Sequence, residues 1–252
     1  MKILFSAALA ALFSLSVPAA LAGDFDDFVA AGAEFTQAQY AAKLPRKSDP
    51  AGAALLARLT NSARLRSASL VGDEQRVALA NVCTATGTHA QAYMMEGIAL
   101  AGTDQDAAVK LVLGNMRKYQ DELTLLLPFL VQCSSRTLVF AEAAAEKYTP
   151  ATLPSDRMLG LMQLRLGVNQ MLVGYVQEVT RDLFSEANRH QMSVSLMEDA
   201  PRLVAVLTLA DRARIRDQVL AAPKPQSPQL VEDLAKIAEM MADQRCEKLC
   251  KF

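Results

Sequence analysis

The stretch VKLVLGNMRKYQDELTLLLPFLVQCSSRTLVFAEAA, residues 109–144, decides the fold. Within it Val109, Val112, Met116, Tyr119, Leu123, Leu126, Leu130, Cys133, Thr137, Phe140 and Ala144 are spaced alternately by three and four. That spacing keeps one helix face apolar over several heptads and predicts a single long helix lying against a core. Pro128 falls inside it with no Gly, Asn or Ser beside it, which predicts a kink and not a loop. A second seam follows in Leu161, Leu164, Val168, Leu172, Tyr175, Val179 and Leu183, with the 3.6-residue spacing of another core helix.

The rest of the chain reads the same way. Ala, Leu, Met, Gln, Glu and Arg are abundant, and runs of alternating β-branched residues do not occur. Asp49-Pro50 and Ser227-Pro228 each place a side-chain acceptor at N-cap and a proline at N1, where the missing N–H costs nothing. Ser155 after Pro154, and Thr208 with Asp211 three residues on, are further helix starts. Helices are expected over 24–43, 49–69 and 73–100, with short ones near 201–207 and 209–221. The three prolines of APKPQSP, residues 222–228, mark a linker, and from Leu230 onward an amphipathic helix runs to the C-terminus. The expected architecture is all-α, a helical bundle with two long core helices and a C-terminal helix tethered by a Pro-rich linker. Its divisions are a bundle over 23–221, the linker over 222–228, and a C-terminal helix with a cysteine pair over 229–252.

Residues 1–22 read as a secretory signal peptide. Lys2 supplies the positive start, Ile3 to Val17 carries no charge, and Ala20-Leu21-Ala22 is the small-x-small pattern of a cleavage site. The uncharged run is about 15 residues against the roughly 20 that span a bilayer. The expectation is a soluble protein, periplasmic or extracellular, with no transmembrane anchor once the signal is cleaved. Losing Lys2 leaves 25 basic and 27 acidic residues, a formal net charge of −2. Arg64 and Arg66, and Arg212, Arg214 and Arg216, stand two apart, so on a helix neighbours within each group point about 200° apart. That spreads the charge around each helix, and no nucleic-acid partner is expected.

Cys83, Cys133, Cys246 and Cys250 are the four cysteines, an even count that in an exported chain predicts disulfides in one of three connectivities. Cys83 shares a helical stripe with Gly87, Ala90 and Met94, and Cys133 lies in the first seam, so both face the core. If two straight helices met at a turn near Gly102, Cys83 would lie opposite residue 122, roughly 16 Å from Cys133. A disulfide needs its Cα atoms within about 7 Å, so this pair would close only if the chain reversed at Pro128. In the tail, RCEKLCKF (residues 245–252), a helix continuing the Leu230, Leu234, Ile237, Met241 stripe would turn Cys246 and Cys250 away from the docking face. Either the helix unwinds before Cys246 or the thiols look outward. Structural disulfides are the favoured reading, with Cys246 bonded either to Cys250 or to the body of the protein. The alternatives are a thiolate metal site, which lacks two further ligands, and a reactive pair favoured by Lys248 and Lys251.

Catalytic signatures are missing: there is no G-x-S-x-G, P-loop, G-x-G-x-x-G, H-E-x-x-H, C-x-x-C-H or EF-hand loop. His89 shares a helix face with Glu96, and Glu186 stands four residues from His190. Each reads as a solvated ion pair, because di-iron bundles require E-x-x-H motifs that do not occur. The methionines, including Met94, Met116, Met162, Met192 and Met241, read as core filling that could leave an apolar pocket between helices. Asp24, Asp26 and Asp27 read as acids offsetting a helix dipole. No cofactor or metal site is expected, and no catalytic residue can be nominated. The leading functional reading is an exported, disulfide-stabilised, non-enzymatic module that binds a protein partner or an apolar small ligand. Two alternatives stand beside it. One is a secreted all-α enzyme with an Arg/Glu-lined site between helices, near Gln163, Arg165 and Asn169. The other is a metal carrier using Cys246, Cys250 and methionines.

Overall fold

The computed structural model describes residues 23–246 and 249–252. The expected signal segment 1–22 and Lys248 lie outside the described residues. Those described form ten α-helices and no strand. They are α1 (Asp26–Tyr40), α2 (Pro50–Leu59), α3 (Ser62–Ser67), α4 (Asp73–Met94), α5 (Gln105–Lys118), α6 (Gln120–Ala145), α7 (Ser155–Thr180), α8 (Glu186–Val204), α9 (Leu209–Leu220) and α10 (Pro228–Met241). Short 3₁₀ turns cover Ile98–Ala101 and Leu249–Lys251. The chain is all-α, as its periodicity predicts.

It divides into two compact units. One comprises the described residues up to Cys133 together with Leu183–Asn188; the other comprises Ser134–Asp182 together with Arg189–Phe252. In the N-terminal unit an aromatic core joins Phe28 to Phe25 and Phe129 at 6.3 and 5.5 Å between ring centroids, and joins Tyr93 to Phe35 and Tyr119 at 5.6 and 5.0 Å. In the C-terminal unit most of the second seam is borne out: Leu161, Val168, Leu172, Tyr175 and Val179 of α7 are buried, and the buried Tyr175 hydroxyl donates to Met192 O at 2.8 Å, whereas Leu164 is half-buried and Leu183 lies past the helix end, in the other unit. Leu230, Leu234, Ile237 and Met241 are all buried and α10 packs on α9.

Several boundaries correct the expectation. Residues 109–144 are not one kinked helix. The backbone leaves helical geometry at Tyr119 (φ −111°, ψ 22°), while α6 passes through Pro128 without reversing. Because one residue is spent on the break, the apolar spacing survives it. Cys83 and Cys133 nevertheless meet, with Cα atoms 5.5 Å apart. The hairpin arithmetic fails because it treats α5 and α6 as one straight rod. Tyr93, near the end of α4, instead lies against Tyr119, where α6 is about to begin, and a Cβ on Gly87 would meet Leu130 Cδ2 at 4.0 Å. The segment between them is an excursion and not a length of hairpin arm.

The expected helix over 73–100 stops at Met94, where Asn115 Nδ2 donates to the Met94 and Glu96 carbonyls at 3.1 and 2.8 Å and Gly97 turns left-handed (φ 69°). The one over 49–69 divides at Thr60 and Asn61, where Asn61 Oδ1 accepts from Arg64 N and caps α3. Asp49, Ser227 and Thr208 are N-caps as read, whereas Ser155 is the first residue of α7 and Pro154 occupies the cap. Helix α8 starts well before the short helix expected near Pro201 and contains that proline. At the other end α10 stops at Met241, so the helix has unwound before Cys246.

At the end of α1, Lys43 N donates to Ala38 O and Ala42 N to Gln39 O, the paired bonds of a Schellman cap, with Ala42 in the left-handed region (φ 53°) that glycine occupies without strain. Ala42→Gly is expected to stabilise the protein by about 0.5–1 kcal/mol, read as a higher midpoint in urea unfolding.

Candidate functional site

All four cysteines are consumed in two disulfides, Cys83–Cys133 and Cys246–Cys250, the latter with Cα atoms 5.4 Å apart. Loop-closure entropy makes the first, which spans 50 residues, worth about 4 kcal/mol and the second, which spans four, about 2 kcal/mol. The tail bridge therefore acts mostly on its own neighbourhood. As disulfides, Cys246 and Cys250 offer no thiolate to a metal, and among the described residues no group of three or more His, Cys, Asp or Glu is arranged to hold one.

His89 is not part of a solvated pair. It is buried beside Gly32 with its ring 4.2 Å from that of Phe35, Nδ1 has no partner, and burial lowers its pKa to about 4. Glu96 instead accepts from Lys118 Nζ at 2.6 Å and from the Tyr119 hydroxyl at 2.5 Å. Its partial burial works to raise its pKa, and these two bonds more than offset that, leaving it below the usual carboxylate range. Nearby the buried Glu122 accepts from Lys47 N at 2.7 Å and Arg46 Nε at 3.1 Å, and the Tyr93 hydroxyl donates to Pro45 O. This polar cluster pins the 45–47 loop to the helix break and serves the fold. Asp24 and Asp27 are engaged by Ser69 N and Arg64, beyond any dipole role. His190 pairs with the buried Asp233 at 2.5 Å. Met94, Met116, Met192 and Met241 fill the core, but Met162 is exposed.

The C-terminal unit carries the more open features. Arg165 on α7 donates from Nε to Val206 O at 2.9 Å and from one Nη to Leu249 O at 3.0 Å. The buried Arg212 on α9 donates to both Asp243 O and Arg245 O at 2.8 Å, and Cys250 N donates to Ala205 O. Three side-chain and main-chain anchors thus fold the tail back and bury Leu249. Leu249 then lines a cavity of about 200 Å³ with Ala141, Ala144 and Ala145 of α6, Leu153, and Arg157, Gly160, Leu161 and Leu164 of α7. Small residues on both helices leave the space open; a Cβ added at Gly160 meets nothing within 4 Å. The walls are apolar, and among the described residues the one charge in the lining is the exposed Arg157, whose guanidinium lies 5.3 Å from the Tyr148 ring centre. A second hollow of about 190 Å³, between α7 and α9, is lined by Met162, Arg165, Leu166, Asn169 and Asp211. The structure therefore brings Arg165 and Asn169 together and leaves Gln163 exposed. Among the described residues, neither lining holds a nucleophile beside a base. Comparison with protein-family models, with curated proteins and with solved structures finds no match.

Two buried groups give the units opposite responses to pH. His89, in the N-terminal unit, refuses in the folded state a proton that the unfolded chain accepts below pH 6.5. Its contribution therefore falls as pH drops from about 6.5 to about 4, by about 3 kcal/mol in full. Glu178 on α7 is raised by burial to about 7, against a smaller lowering from Arg181, so its folded state holds a proton the unfolded chain gives up. Its contribution falls as pH rises from about 4.5 to about 7, by a similar amount. Between pH 7 and 5, hydrogen exchange corrected for intrinsic rates should show protection falling in α4 in wild type relative to His89→Phe. Over the same range it should rise in α7 relative to Glu178→Gln. Equal pH slopes in wild type and variants would contradict the assignment.

Proposed function

We propose that this chain is an exported, non-catalytic binding module whose C-terminal unit takes a small amphiphile, an apolar chain ending in an anionic group. The observation that carries the reading is the cavity between α6, α7 and Leu249: apolar walls, built from alanines, leucines and a glycine, with Arg157 the one cation at the rim among the described residues. An apolar chain loses unfavourable hydration there and Arg157 receives its charged end. The volume corresponds to about seven groups of a water's size, which suits a short chain and falls below the range of drug-sized pockets. Export is supported by the two disulfides, which persist in oxidising compartments, and by the character of residues 1–22.

Titration with octanoate and with octanol tests the site. Wild type should bind both, Arg157→Gln should lose about tenfold for octanoate with little change for octanol, and Gly160→Leu should lose both while unfolding normally. Undiminished binding to Gly160→Leu would refute the site. A native mass spectrum of protein collected from the exported fraction without reductant should show residues 23–252 less four hydrogens. A mass retaining residues 1–22 would refute signal cleavage.

A further inference from the structure

The two disulfides differ in what a reagent can reach. Cys83 and Cys133 are 6% and 0% exposed inside the N-terminal unit, whereas Cys246 and Cys250 each keep part of their surface in solvent. Reduction begins with a thiolate approaching a sulfur, so access alone separates the bridges. Their loops separate them in the same direction: the first bridge closes 50 residues of the fold, the second only four. Lys251, exposed and next to Cys250, favours the thiolate form of a departing sulfur. The tail bridge also stands where its loss is felt. Leu249, the residue before Cys250, is 2% exposed and forms part of the wall of the cavity between α6 and α7. Two main-chain bonds hold it there: its carbonyl accepts from Arg165, and Cys250 N donates to Ala205 O, each at 3.0 Å.

We propose that Cys246–Cys250 is a redox site: a dithiol reduces it selectively, and reduction releases Leu249 from the cavity wall, letting the bound amphiphile go. The last step rests on the amphiphile reading of that cavity. One thiolate of the dithiol attacks a sulfur of the bridge, forming a mixed disulfide and expelling the other cysteine as a thiolate, which takes up a proton. The second thiol of the dithiol then attacks its own sulfur in the mixed disulfide, frees the remaining cysteine and closes the oxidised form of the reagent. Two electrons and two protons pass from the dithiol to Cys246 and Cys250. Without the bridge the undocked tail regains the freedom that closure over four residues removed, which disfavours the docked state by about twentyfold.

The test treats the full-length secreted protein with limiting dithiothreitol, traps free thiols with iodoacetamide for peptide mass mapping, and follows amide exchange by NMR and octanoate binding by titration. Cys246 and Cys250 should be labelled while Cys83 and Cys133 stay joined. Exchange at the Cys250 amide should then accelerate by about twentyfold, and the octanoate dissociation constant should rise by up to that factor. The double variant Cys246→Ser, Cys250→Ser should match the reduced protein without dithiothreitol and not respond to it. Labelling of Cys83 and Cys133 as early as the tail pair overturns the proposal. Unchanged exchange at Cys250 after reduction does so too, as does unchanged affinity in a protein that binds octanoate. If the oxidised protein binds no octanoate, the amphiphile reading falls by itself, and exchange at Cys250 alone decides whether reduction frees the tail.

Discussion

One residue of non-helical backbone at Tyr119 sets the path of everything around it. If α5 ran straight into α6, Cys133 would stand far from Cys83; because the helix stops for a single residue, the two come within bonding distance. The break is held from every side of the tyrosine. Its ring lies 5.0 Å from Tyr93, the Arg46 and Lys118 cations sit 4.5 and 4.6 Å from its centre, and its hydroxyl reaches Glu96. Arg46 also grips Glu122 and the Lys118 carbonyl. Gly52 allows that loop to close: a Cβ there would fall 2.4 Å from Arg46 O, which no side chain tolerates. Cation–π contacts, a buried carboxylate and a glycine meet at this break.

The apolar periodicity made the architecture legible, because it reports which face of a helix is buried. It does not report continuity: Met116, Tyr119, Leu123, Leu126 and Cys133 are all buried although a break lies among them. Past Cys133 the reading drifts, and Leu138 and Ala145 are buried where Thr137 and Ala144 were expected. Helix α8 shows no clean apolar stripe in the sequence, because its inner face includes Arg189 and Ser193 among Met192, Leu196 and Leu203. Pro201 then suggested a start where the helix is about to end.

The candidate sites were legible in proportion to how unusual their residues are. Arg165 and Asn169 stand out as polar letters in an apolar helix. The other cavity is made of alanines, a glycine and leucines, which read as ordinary core filling until two helices set small residues against each other. Leu249 gave no signal at all, since its place depends on arginines donating to backbone carbonyls far away in sequence.

The order of the cysteines along the chain has a consequence for biogenesis. Each is joined to the next one in sequence, Cys83 to Cys133 and Cys246 to Cys250. In a chain delivered N-terminus first into an oxidising compartment, the first thiol meets its native partner before any other has emerged, and both are consumed before the last pair arrives. Of the three connectivities open to four cysteines, the native one is then reached by oxidation alone, with no need for thiol–disulfide exchange.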